Sequence, residues 1–257
     1  MGTALVTGAT AGLGLEFVWQ LATARHDLVL VARDAERLDQ VAGQVRAAAG
    51  VRVEVLPADL AVADDVAVVA ERLAVAGDEP GEARRPVGLL VNNAGFATAQ
   101  RFVGGELDVE LAAVDVMVRA VVQLTHAATG QMTARGRGAV LNVASVAALT
   151  AGGTYAAAKA YVRTFTEALA VELKGTGVTA TALCPGFVHT EFHDRAGLDM
   201  TSVPEIGWLD APFVVSQALA DVRRGVVLST PSLRYKAGSA LLRALPRSAV
   251  RAIGHYR

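Results

Sequence analysis

Short apolar runs alternate along the chain with longer stretches in which apolar side chains return every third or fourth position. The runs Ala4 to Val6, Leu28 to Val31, Val51 to Val55, Gly88 to Val91, Ala139 to Val143, Val178 to Leu183 and Val226 to Leu228 read as strands buried on both faces. Between them the spacing predicts helices at about Leu13 to Thr23, Ala35 to Ala49, Ala63 to Ala76, Val109 to Arg135, Thr154 to Lys174 and Pro212 to Arg223. Strands separated by helices need crossovers, and right-handed crossovers build an α/β, doubly wound parallel sheet of about seven strands with helices on both faces. Ligands of such sheets sit beyond the carboxyl ends of the strands, so functional residues are expected there. Gly77 to Pro86 is polar and reads as a surface loop, and the uncharged run Gly138 to Ala158 is interrupted by Asn142, Ser145 and Gly152-Gly153, so it reads as strand, turn and helix start.

Composition narrows the classes. At 257 residues, with 53% hydrophobic and 19% charged, the chain suits one domain over residues 1–257 and excludes disorder. A net charge of -1 gives no basic field for nucleic acid, so no nucleic-acid partner is expected. The single cysteine, Cys184, precludes an intrachain disulfide and a multi-cysteine zinc site, which fits a cytoplasmic protein. No basic residue precedes Arg25, which is unlike a secretory leader, and Val6 stands where a myristoylation signal wants Ser or Thr. Charge is uneven, however. No acid follows Asp221, while Arg223, Arg224, Arg234, Lys236, Arg243, Arg247, Arg251 and Arg257 supply eight cations.

The first strand runs into Thr7-Gly8-Ala9-Thr10-Ala11-Gly12-Leu13-Gly14 and then a helix. Glycines fall where a backbone must turn tightly and approach a pyrophosphate, so this is read as a dinucleotide cradle, with GxxxGxG spacing in place of the commoner GxGxxG. At the end of the second strand, where an acidic residue would hold a ribose hydroxyl, the chain has Ala32 followed by Arg33, whose guanidinium suits a phosphate. NADP(H) is therefore the expected cofactor. The bland alternative is a surface pairing of Arg33 with Asp34 or Glu36, and Arg37, one turn on, is a candidate assistant.

Tyr155 and Lys159 stand one helical turn apart near a helix start, which sets a phenol beside an ammonium and predicts a tyrosine below its ordinary pKa. Ser145, just past the fifth strand, can hydrogen-bond a substrate carbonyl oxygen while Tyr155 exchanges the proton. A tyrosine and lysine at this spacing are common on helix rims, so the pair gains weight only from the serine and the loop before it.

Taken together, Thr7 to Gly14, Asn92-Asn93-Ala94-Gly95, Ser145, Tyr155 with Lys159, and Pro185-Gly186 follow the order of the short-chain dehydrogenase/reductase family, which this chain resembles over most of its length. The resemblance implies a Rossmann-type enzyme moving hydride between a nicotinamide and a carbonyl or alcohol carbon, with Tyr155 as general acid/base and Lys159 also holding the nicotinamide ribose. It further implies cofactor contacts from Gly8, Thr10, Gly12, Leu13 and Gly14, from Asp59 and Leu60 beside the adenine, from Asn92, Ala94 and Gly95, and from Pro185, Gly186, Val188 and Thr190 on the nicotinamide side. Two departures stand out. Met117 occupies the place of the family's catalytic asparagine, with Asp115 nearby on another helix face, which leaves the proton relay open to a backbone kink or another water. The Ser145 to Tyr155 separation is also shorter than the family's usual one, which would open or reshape the substrate side.

Residues 189–212 read as a substrate lid, with Phe187, Phe192, Met200 and Trp208 as candidate walls of an apolar pocket for a ketone, aldehyde or secondary alcohol. His189 and His193 lack a third ligand, so no metal is expected. The basic tail, about 223–257, mixes Leu241, Leu242, Leu245, Val250 and Ile253 with arginines. Such pieces can lie on an anionic membrane surface, with oligomer contact or a solvated face preferred. The resemblance implies a homodimer or homotetramer pairing the long helix before Arg135 and the Tyr155 helix. A competing reading is a low-turnover NADP(H)-binding redox sensor or scaffold, suggested by Met117 and opposed by the intact Ser145, Tyr155 and Lys159.

Overall fold

A computed structural model of the chain describes residues 2–77, 85–195, 197, 200–201 and 203–253. Most of the polar loop expected at Gly77 to Pro86, parts of the lid, and Arg257 lie outside the described residues. The chain runs β1 (Thr3–Thr7), α1 (Gly12–Thr23), β2 (Asp27–Ala32), α2 (Ala35–Ala49), β3 (Val53–Pro57), α3 (Ala63–Ala74), β4 (Val87–Asn92), α4 (Leu107–Val114), α5 (Ala120–Ala134), β5 (Gly138–Val143), α6 (Gly153–Glu172) and β6 (Val178–Leu183). There follow β7 (Phe187–Val188), α7 (Phe192–Arg195), β8 (Trp208–Leu209), α8 (Ala211–Arg223), β9 (Leu228–Ser229), α9 (Leu233–Ala244) and α10 (Arg247–Ile253).

The sheet is parallel, in the order β3-β2-β1-β4-β5-β6-β9. Side chains alternate across each strand, so Ala4 and Val6 pack with Phe17, Leu38 and Val214 of α1, α2 and α8, whereas Leu5 packs with Val69, Leu124 and Leu169 of α3, α5 and α6. That two-sided burial is why the strands carry no polar alternation. The chain builds outward from β1 to β3 and then restarts at β4 on the other side of β1. The carboxyl ends of β1 and β4 therefore flank the switch point where ligands of such sheets bind.

Two expectations change. The long helix at Val109 to Arg135 is divided: between α4 and α5 lies one π-helical turn, Asp115–Arg119. Met117 sits in that turn fully buried, its Cγ and Sδ each 3.2 Å from where a Cβ on Gly95 would be, so the wider turn carries its side chain against the β4 loop. The strands expected at Val51 to Val55 and Val226 to Leu228 fall two residues later, at β3 and β9. The basic tail is ordered as two helices, α9 and α10. No helix among the described residues is long and apolar enough to cross a membrane.

Candidate active site

At the switch point the loop after β1 is held by the loop after β4. Thr7 Oγ1 accepts the backbone N–H groups of Asn93 and Ala94, each at 3.0 Å, and Asn93 Nδ2 donates to the Thr7 carbonyl at 2.9 Å and to the Gly8 carbonyl at 3.4 Å. Gly8 and Gly12 have φ of 65° and 51°, the left-handed region that favours glycine, and a Cβ on Gly14 would collide with the Gly8 carbonyl. Ala11, which precedes α1, makes no side-chain cap, so the first-turn amides of α1 have no side-chain acceptor from that position. Thr190 closes the far wall, its Cβ 3.4 Å from the point a Cβ on Gly12 would occupy. A turn whose glycines bare the backbone at the start of a helix fits a dinucleotide pyrophosphate.

The residues expected to contact a cofactor divide into two groups. Gly8, Thr10, Gly12, Leu13, Gly14, Ala94 and Thr190 lie on or against this loop, and Gly95 sits beside Met117 and Lys159. Asn92 is turned away from the loop, its Nδ2 donating to Asn142 Oδ1 at 2.8 Å and to Thr125 Oγ1 at 3.1 Å inside the core. Asp59 organises its own turn, with Oδ1 accepting from Ala61 N at 3.0 Å, and Leu60 is buried beside it. The space a Cβ on Gly186 would take is filled by the ring of Tyr235 from α9. The Tyr235 hydroxyl accepts from Phe187 N at 3.0 Å and donates to the Gly207 carbonyl at 2.6 Å. Pro185 and Val188 are buried on the two sides of Gly186.

At the end of β2, Arg33 is exposed and forms no ion pair among the described residues. Asp34 caps α2, accepting from Arg37 N at 3.0 Å, and Glu36 accepts from Gln40, so the bland pairings are not made. Arg37 reaches Glu191 in the lid at 3.5 Å.

On the catalytic side, Ser145 Oγ accepts from Ala147 N at 3.1 Å, which fixes its rotamer and leaves its hydrogen free to donate. Tyr155 lies near enough to Ser145 for the serine hydroxyl to favour the ionised phenol. Lys159 is buried, donates from Nζ to the Val143 carbonyl at 2.7 Å, and lies 5.7 Å from the Tyr155 ring centroid. The expected lowering of the tyrosine is overturned: burial pushes the phenol up to about 12, the Ser145 hydrogen bond opposing it. Burial likewise holds Lys159 down to about 8. Desolvation decides both shifts, because both groups are buried in the same dry corner.

The segment expected to be a lid lies next to a pair of short strands. β7 pairs with β8 in parallel, Phe187 opposite Trp208 and Val188 opposite Leu209. The candidate pocket walls Phe187, Phe192 and Trp208 pack with His193 and reach Tyr155, whose ring centroid is 5.6 Å from that of Phe192. His189 stacks on Trp208 and contacts Glu205 Oε1 at 2.9 Å. No three His, Cys, Asp or Glu side chains among the described residues come together as metal ligands.

Asn93, Thr7 and Tyr235 shape the loops of the candidate site and are not among the expected contact residues. The first two had a signal, the Asn-Asn pair after β4 and the threonine ending β1. Tyr235 had none.

Residues 2–200 match the model of the short chain dehydrogenase family. Sulfoacetaldehyde reductase 2 of Chromohalobacter salexigens is 38% identical over 196 residues, 73% of either chain. Galactitol 2-dehydrogenase (L-tagatose-forming) of Cereibacter sphaeroides is 32% identical over 247 residues, 93% of this chain and 91% of the other. A short-chain dehydrogenase from Sphingobium yanoikuyae, solved in complex with NADPH, superposes with a TM-score of 0.83 at 32% identity, over 96% of this chain and 98% of that one.

Proposed function

This chain belongs to the short chain dehydrogenase family of oxidoreductases acting on CH–OH or carbonyl groups, and from that premise we propose that it is an NADP(H)-dependent enzyme interconverting a small, apolar carbonyl compound and its alcohol, with Tyr155 as general acid/base. The observation that carries the reading is the Lys159 ammonium 5.7 Å from the Tyr155 ring with Ser145 beside that phenol, in the fold that carries the glycine cradle. The first turn of α1, with Gly8, Gly12 and Leu13, would hold the pyrophosphate, Arg33 the ribose phosphate, and Lys159 with Val188 and Thr190 the nicotinamide end. A nicotinamide held there would supply the hydride to the substrate carbon in reduction, or accept it in oxidation. Ser145 Oγ donates to the substrate oxygen and orients it, and in reduction Tyr155 passes its proton to that oxygen.

Phe187, Phe192 and Trp208 beside Tyr155 support an apolar substrate, since their rings offer area and no charge to pair with an ionised group. NADPH oxidation is expected with apolar ketones or aldehydes from a broad panel. Ser145→Ala is expected to lower kcat by about 10²-fold with the NADPH Kd unchanged. Tight NADPH binding with no turnover on any panel member would instead support the redox-sensor reading, and an unimpaired Ser145→Ala enzyme would remove Ser145 from the mechanism.

We also propose that a second copy docks on the face of α4 and α6, where Leu107, Leu111 and Val114 recur along one exposed side of α4 and Tyr161 is exposed on α6. Light scattering after gel filtration is expected to give a dimer or tetramer that Leu107→Glu/Leu111→Glu dissociates. A wild-type monomer refutes this.

A further inference from the structure

Helix α9 is anchored by one side only. Tyr235 and the buried Ser239 face inward, and Leu242 is partly covered. At about 3.6 residues per turn the opposite side carries Leu233, Ala237, Ala240, Leu241 and Ala244, every one of them exposed. Leu233 is 81% and Leu241 62% exposed, large values for leucine on a helix that packs well on its other side. Flanking this stripe are Arg234 on one edge and Lys236 and Arg243 on the other. Arg234 bonds the Ile206 carbonyl, so Ile206, itself 70% exposed, extends the apolar patch at the amino end of the helix. Helix α10 adds exposed Arg247 and Arg251 one turn apart, with Val250 turned inward. No acidic residue follows Asp221 in the sequence, and Glu205, next to Ile206, contacts His189 at 2.9 Å.

We propose that α9 and α10 dock on an anionic lipid surface, with Leu233, Leu241 and Ile206 entering the interface and Arg234, Lys236, Arg243, Arg247 and Arg251 lying at headgroup level. An apolar stripe bordered by cations on both sides is the arrangement that binds such surfaces. The patch is convex, a helix side and not a groove, which suits a deformable surface better than a rigid protein partner. A nucleic acid would match the cations but not the leucines between them. The patch lies at the substrate end of the molecule, because α9 covers Gly186 and Arg247 bonds the Leu149 carbonyl in the turn after Ser145 at 3.2 Å. Docking would therefore bring the site's rim close to the lipid, which suits apolar substrates.

Vesicle flotation of the full chain tests this, with vesicles of phosphatidylglycerol and phosphatidylcholine against phosphatidylcholine alone. Binding is expected to be at least about tenfold stronger to the anionic vesicles at low salt and to weaken as salt rises. Leu233→Glu/Leu241→Glu should lose the binding through its apolar part, and Lys236→Glu/Arg243→Glu through its charge, each retaining turnover of soluble substrates and so reporting an intact fold. Equal binding to both vesicle types, no binding to either, or variants that bind like the wild type would overturn the proposal. An oligomer that Leu233→Glu/Leu241→Glu splits would also overturn it, by showing that a second copy covers the stripe.

Discussion

Tyr155→Phe is expected to lower kcat by about 10²- to 10⁴-fold, the span that a single proton-transfer group contributes, while the Kd for the nicotinamide cofactor stays within about twofold. The substitution removes one hydroxyl and keeps the ring against Phe192, so the packing around the site is retained. The pH dependence separates the roles of tyrosine and lysine. With the phenol pushed up to about 12, Tyr155 keeps its proton throughout the accessible range and remains competent to donate. Lys159, held down to about 8, loses its charge first. kcat/KM for reduction is therefore expected to fall as pH rises through about 8, and Lys159→Ala should abolish that limb while weakening cofactor binding. A profile flat from neutral pH into the alkaline range, or a Tyr155→Phe enzyme with substantial turnover, would refute the assignments. For stability the sign runs the other way. The lowered Lys159 means that the unfolded chain binds the extra proton between the two pKa values, so this group's penalty on folding is relieved as pH rises from about 8.

NADPH is expected to bind about tenfold to a hundredfold more tightly than NADH, the range for one charge-assisted phosphate contact, with the gap narrowing as salt rises. Arg33 is exposed and takes neither Asp34 nor Glu36 as a partner, so its guanidinium is available at the edge of β2. Ala32→Asp together with Arg33→Ser should reverse the preference, because the new carboxylate accepts from a ribose hydroxyl and repels a 2′-phosphate. Fluorescence titration of both nucleotides reads this without turnover. If Arg33→Ala alone leaves the ratio of affinities unmoved, Arg33 is a surface residue. The phosphate reader would then have to be another cation, with Arg37 next in line once it releases Glu191.

The sheet was legible because its strands are covered on both sides, so each run of apolar residues had one reading and the helical stretches between them another. Strand ends were less so: β3 begins at Val53 and not at Val51, because its pairing with β2 is decided by the partner strand. The site was legible where chemistry is concentrated in a few positions, as in the glycine loop, Ser145, Tyr155 and Lys159. The Asn-Asn pair shows the limit. Alternation at the end of β4 sends Asn92 into the core toward Asn142 and Asn93 toward the loop after β1, and a motif does not reveal which of two neighbours faces which way. The π turn at Asp115–Arg119 was hidden because one extra residue in a helix barely disturbs its apolar spacing. The pKa of Tyr155 was misjudged because spacing on a helix gives the distance between two charges but not how dry their surroundings are.

The contact between Tyr235 and Gly186 has a mechanical consequence. One phenol oxygen spans the amide of Phe187 and the carbonyl of Gly207, the two approaches to the small β7–β8 pair, and its ring fills the space that a side chain at Gly186 would need. Helix α9 thus works as a keystone for the β7–β8 pair: a truncation before Leu233 withdraws it and releases both shoulders of the arch together, whereas a cut after Ala244 leaves it seated. Gly186 and Tyr235 are bound to change as a pair, since any larger residue at the first has room only when the second becomes small, and a small residue there no longer bridges the two strands.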